Sequence, residues 1–182
     1  MMKLLIQSVR VFVALTLIVG VGYPLLVTAF GQLVFPHKAN GSLIKGEQGV
    51  TGSELLAQKT ESPRLFWPRP SGSDFGTLPS GASNQGPTSE TLKVAITERR
   101  ARGLTHEMQF ASGSGLDPHI SMDAALSQLP RIVESRKLGD SERAEIERML
   151  KGLLEKRDLG FLGEERVNVL KLNLNLIEKF GK

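Results

Sequence analysis

The chain has 182 residues, of which 40% are apolar and 23% charged, with 19 Gly, 9 Pro and no Cys. These proportions lie near globular averages and exclude collagen, a wholly disordered chain and a polytopic membrane protein. The absence of Cys excludes disulfides, thiolate metal sites and a cysteine nucleophile. The net charge of +4 is unevenly placed: residues 1–38 hold Lys3, Arg10, Lys38 and no acid, whereas the rest holds 20 basic and 19 acidic side chains. No nucleic-acid partner is expected, because neutralising several phosphates needs a concentrated basic face.

Lys3 and Arg10 precede an uncharged run, VFVALTLIVGVGYPLLVTAFGQLVFP, from Val11 to Pro36. Roughly 20 apolar residues in a helix cross ~30 Å of hydrocarbon, so residues 11–35 are predicted to span the membrane. Tyr23, Phe30 and Phe35 fall in its second half, where rings settle near headgroups. Pro24, Gly20, Gly22 and Gly31 are tolerated in a membrane helix. A cleaved signal peptide, cut near Val27-Thr28-Ala29, is the competing reading. Its apolar region usually runs ~7–15 residues, so the longer run here favours a retained anchor. Residues 1–10 are expected in the cytoplasm and residues 36–182 outside it, since long following domains translocate largely regardless of flanking charge.

After the anchor, short strands are expected at 41–45 and 64–67. Pro68 and Pro70 open a long loop, residues 68–87. A helix capped by Thr88 or Ser89 carries Leu92, Ala95 and Ile96 on one stripe. Arg99, Arg100 and Arg102 complement its dipole before Gly103. Alternation over 107–111 predicts a strand, followed by the Ser112–Gly115 loop. Ser121 caps a helix bearing Met122, Ala125, Leu126 and Leu129. Pro130 is expected to kink or restart it, and Gly139 to end it. Asp140 or Ser141 caps a third helix with Ile146, Met149, Leu150 and Leu153 inward. Val167 and Val169 read as a strand, and Asn173 as the cap of a short last helix with Leu174, Ile177 and Phe180. The whole is expected to be a small α/β or α+β domain on one transmembrane helix.

Enzyme chemistry finds little support. Ser42-Leu43-Ile44-Lys45 has the S-x-x-K pattern of penicillin-binding enzymes but lacks the S-D-N and K-T-G partners. Ser114, Asp117 and His119 have the residue types of a hydrolase triad, without a G-x-S-x-G elbow. The segment reads instead as a tight glycine loop and an Asp-Pro turn before a helix. His37, His106 and His119 have no metal-binding spacing. There is no P-loop and no D-K-T-G string. A single-span protein with a non-catalytic external domain is expected.

Several strings, in order along nearly the whole chain, resemble one family. These are Tyr23-Pro24; Ala39-Asn40-Gly41-Ser42-Leu43-Ile44; Phe66 followed by Arg69-Pro70-Ser71; and Ser83-Asn84-Gln85-Gly86-Pro87. Ser112-Gly113-Ser114-Gly115-Leu116-Asp117-Pro118-His119-Ile120-Ser121 is the most specific, and Leu162-Gly163-Glu164 and Arg166–Leu174 follow. They resemble the C subunit (KdpC) of the bacterial Kdp potassium-transporting ATPase. Gln85 and Ala57 depart from the family pattern, and residues 62–84 fit it only in patches. The resemblance implies a non-catalytic subunit needed for assembly, with ATP and potassium handled by partner subunits and no cofactor of its own. The implied partners are a KdpA-like channel subunit, a KdpB-like ATP-hydrolysing subunit, a KdpF-like small subunit and membrane lipid. The candidate interface or structural residues are Asn40, Gly41, Ser42, Arg69, Pro70, Ser71, Ser114, Gly115, Leu116, Asp117, Pro118 and His119.

Overall fold

The structure, a computed structural model, describes residues 1–46 and 49–181; for His106 it describes the backbone alone. The chain divides into two compact units, Met1–Leu43 and Ile44–Lys182. In the first unit, α1 (Met2–Leu15), a π-helical segment (Thr16–Gly22) and α2 (Tyr23–Val34) run on as one helix. That helix, Met2–Val34, is 33 residues long and holds an 18-residue stretch of mean hydropathy 2.2, so it is long and apolar enough to cross a bilayer, and none of it is buried. The wide turn sits where Pro24 enters. Proline offers no N–H to the preceding turn, and the Tyr23 N–H reaches back five residues to Ile18 O.

A short α3 (Pro36–Ala39) follows. Its end is a Schellman closure: Gly41 N–H donates to Lys38 O and Ser42 N–H to His37 O, both at 3.0 Å. Gly41 has φ 84° and Ser42 φ 48°. Extended pairing cannot begin in that left-handed backbone. The strand expected at 41–45 therefore starts two residues later, as β1 (Leu43–Gly46), paired with β2 (Gly49–Ser53).

The second unit is built on a three-stranded antiparallel sheet, ordered β3 (His119–Ile120), β5 (Arg166–Asn168), β4 (Leu154–Glu155). Antiparallel pairing makes this the α+β form of the expected fold. Three helices pack with it: α6 (Met122–Arg136), α7 (Asp140–Gly152) and α8 (Val169–Phe180). Their apolar stripes meet in a core of Ile120, Ala124, Leu129, Ile132, Ile146, Leu150, Val167, Leu172 and Leu176, closed by Phe66 and Met108. Ser121 caps α6, its Oγ accepting the Ala124 N–H at 3.1 Å. The helix runs through Pro130 without a restart. It ends at Lys137 in the left-handed conformation, two residues before the expected Gly139. Gly139 instead occupies the N-cap of α7, donating its N–H to Glu142 at 3.0 Å. Asp140 is thus the first helical residue rather than the cap.

Two expected strands are absent, and both for long-range reasons. Residues 64–67 pair with no strand. The Phe66 N–H and C=O are both held by the Asn173 amide, at 2.8 and 2.9 Å. Those of Trp67 are held by Gln128, at 2.8 and 3.1 Å. Arg131 and Arg136 take the carbonyls of Leu65 and Arg64. Residues 107–111 are not a strand either: α5 (His106–Gln109) is a single helical turn. Gln109 Nε2 donates to Leu104 O, and Gln109 O accepts from Arg99 on α4 (Glu90–Ala101). Asn168, not Asn173, caps the last helix, with Oδ1 accepting the Lys171 N–H. Asn173 lies buried inside that helix.

Candidate functional site

Most of the sequence-derived candidates lie in two loops that the fold brings together. Residues 69–71 run beside residues 111–117. Ser112 N–H donates to Pro70 O at 2.9 Å, and Arg69 Nη2 to Ala111 O at 3.3 Å. Ser71 Oγ accepts from the N–H groups of Ser73 and Phe75. Gly115 has φ 71°, and a Cβ there would lie 2.7 Å from Gly81 O. A glycine is needed at 115 on both counts. Leu116 is buried, its C=O accepting the Ala57 N–H, and Pro118 O accepts the Val169 N–H.

Asp117 sits at the focus. Its Oδ1 accepts the His119 N–H at 3.0 Å, and Oδ2 lies 3.8 Å from Arg69 Nη1. His119 Nδ1 is 3.6 Å from Asp117, too long for a formed hydrogen bond, and Nε2 is 3.5 Å from Glu155. Glu155 in turn meets Arg166 at 3.2 Å and Lys171 at 3.9 Å. The His119 side chain, its backbone N–H and the Arg69 charge together hold the Asp117 carboxyl below the usual carboxylate range against the opposing effect of burial. Arg69, Asp117, His119 and Arg166 open onto a polar cleft of about 380 Å³, lined also by Glu107, Ser121, Glu164 and Glu165. Glu107 accepts the Ser121 N–H, tying α5 to the start of α6.

This geometry does not assemble a hydrolase. Ser114 is exposed, and its Oγ accepts from the Leu116 N–H of its own loop. Both ring nitrogens of His119 face carboxylates rather than a serine. Ser42 is buried in the turn that closes α3. Asn40 belongs to the same turn, its amide bonding Gln32 and Pro36 O. Among the described residues, no group of three or more His, Asp or Glu is placed to hold a metal ion.

Sequence reading missed Glu155, Arg166 and Lys171, the partners that make a network of Asp117 and His119. Arg166 and Lys171 are visible in the sequence only as parts of one matching string. It also missed Gln128 and Asn173, whose amides replace a strand. A polar residue on an otherwise apolar helix face was the signal for both.

A model of the family described as KdpC: K+-transporting ATPase, c chain, matches residues 5–178. The chain belongs to the KdpC family. Relatives carry the name potassium-transporting ATPase KdpC subunit. One from Methylococcus capsulatus is 47% identical over 174 residues, covering 88% of this chain and 90% of its own. One from Rhodospirillum rubrum is 44% identical, with coverage of 99% and 98%. One from Leptospira interrogans is 41% identical, with coverage of 96% and 93%. The KdpC match spans both units, the apolar helix as well as the α+β unit.

Proposed function

We propose that this chain is the accessory C subunit of an ATP-driven potassium uptake complex, anchored in the bacterial cytoplasmic membrane by its single apolar helix. The observation that carries the reading is the family match from residue 5 to residue 178. Residues 1–10 face the cytoplasm, residues 11–35 cross the lipid, and residues 36–182 lie on the extracytoplasmic side. The subunit does no chemistry. Its Asp117–His119 network organises a surface, and hydrolysis belongs to a KdpB-like subunit. A KdpA-like subunit carries the potassium path, and a KdpF-like subunit completes the assembly. ATP is cytoplasmic, so any influence on its affinity is indirect.

Deletion of the gene tests the reading. Growth should fail at micromolar potassium, recover at millimolar potassium, and return with the wild-type chain. Undiminished growth at low potassium in a strain with no other uptake system would refute it.

A further inference from the structure

The loop between β4 and β5 holds an apolar tip away from the core. Its backbone closes on itself: Asp158 N–H donates to Leu162 O and Leu162 N–H to Asp158 O, both at 2.9 Å. Arg166 ties the base of the loop to Glu155 and Asp158. An ordered loop therefore displays Leu159, Phe161 and Leu162 at 83%, 69% and 49% exposure. Large apolar side chains grouped on one such tip mark a contact surface. Directly after the tip, Glu164 and Glu165 line the polar cleft. Among the described residues neither makes an ion pair, whereas Arg166 beside them is fully engaged.

We propose that residues 159–165 are a docking element for a membrane-protein partner offering an apolar pocket bordered by basic side chains. Phe161 with its two leucines fills the pocket, and Glu164 and Glu165 meet the basic border. The proposal rests on the reading of this chain as a subunit of a complex. An apolar anchor beside a charged rim is the arrangement of a specific protein interface. The two carboxylates choose protein over lipid, because they repel anionic headgroups and complement Lys or Arg.

The chain has no cysteine, so Leu159→Cys introduces one labelling site while leaving Phe161 in place. The full chain carrying it is placed in phosphatidylethanolamine–phosphatidylglycerol vesicles, alone and assembled with its co-expressed large subunits. Reaction with a water-soluble maleimide should be fast for the chain alone and about tenfold slower in the assembly. Protection in vesicles without the partners assigns the tip to lipid and overturns the proposal. Equal labelling in both states overturns it too. In a second arm, Phe161→Asp and the pair Glu164→Lys with Glu165→Lys are made in the full chain. Each should cut recovery of the large subunits in mild detergent by about tenfold at unchanged melting temperature, since the side chains replaced are surface ones. Full recovery with both variants overturns the docking role alone. A wild-type chain that never co-purifies overturns the subunit reading and the docking role with it.

Discussion

Asn173 does for residues 64–67 what a neighbouring strand would otherwise do. Its amide meets both the N–H and the C=O of Phe66 from inside α8, with Phe66 itself fully buried. Asn173→Ala leaves two buried backbone groups without partners and should cost about 2–4 kcal/mol. Asn175→Ala, two residues on and exposed, should cost under about 0.5 kcal/mol. Denaturant unfolding of the full chain in detergent reads both, and equal losses would refute the clamp. Asp117 carries a different signature. Its carboxyl titrates below the ordinary value of 3.8. Stability from the ionised form is therefore fully present above about pH 3.8 and is lost as pH falls through the lower native value. Asp117→Asn keeps an oxygen for the His119 N–H but drops the charge. It should lower stability at pH 7, and its gap to wild type should narrow below pH 3.8. The carboxylate is about one-third exposed, so the effect is modest. A gap constant from pH 7 to pH 3 would refute the assignment.

The 112–118 loop meets the 68–87 loop as one element against another. Ser112 pairs with Pro70, and the bare Cα of Gly115 lies against Gly81 O, with Ser73 Oγ and Ser71 Oγ just beyond. Gly115→Val demands a left-handed backbone of a β-branched residue and drives its Cβ into that carbonyl. The expected loss is about 1–3 kcal/mol. Gly113→Ala, where a Cβ meets nothing within 4 Å, should be near neutral. The loss should show in the melting temperature of the isolated full chain, before any partner is added. A chain that melts normally while its complex falls apart would move Gly115 from fold to interface. The β4–β5 loop contrasts with this contact, since its apolar side chains face outward and contribute little to the core.

Over the whole molecule, the apolar helix and the α+β unit treat their apolar side chains differently. The helix buries nothing within the chain, which the proposed membrane anchor requires of side chains that would face lipid. The second unit closes its own core. The absence of cysteine makes the orientation easy to test. With Ser80→Cys and Ser8→Cys made separately, an impermeant maleimide should label position 80 in intact cells. Position 8 should react only after permeabilisation. The reverse pattern would refute the proposed topology.

The long apolar helix, the helices beginning near residues 90, 122 and 140, and the strand at Val167 were legible in the chain alone, although Val169, expected in that strand, opens the last helix instead. Their signals are local: an uncharged run, an i, i+3, i+4 stripe, a serine before a helix. Arg69, Asp117 and His119 stand out in the chain only as parts of strings that resemble the family, and nothing in those strings places the three in one cleft. What the chain alone could not settle was where polar groups far apart in sequence would meet. Residues 64–67 have the composition of a strand, yet their hydrogen bonds go to side chains 61 to 107 positions away. Asn173 has the chemistry of a cap, and only the folded core makes it a clamp. Residues 107–111 alternate like a strand, yet Arg99 and Leu104 hold the end of a helical turn there. Short segments carry too few local interactions to choose a conformation, so tertiary hydrogen bonds chose it for them.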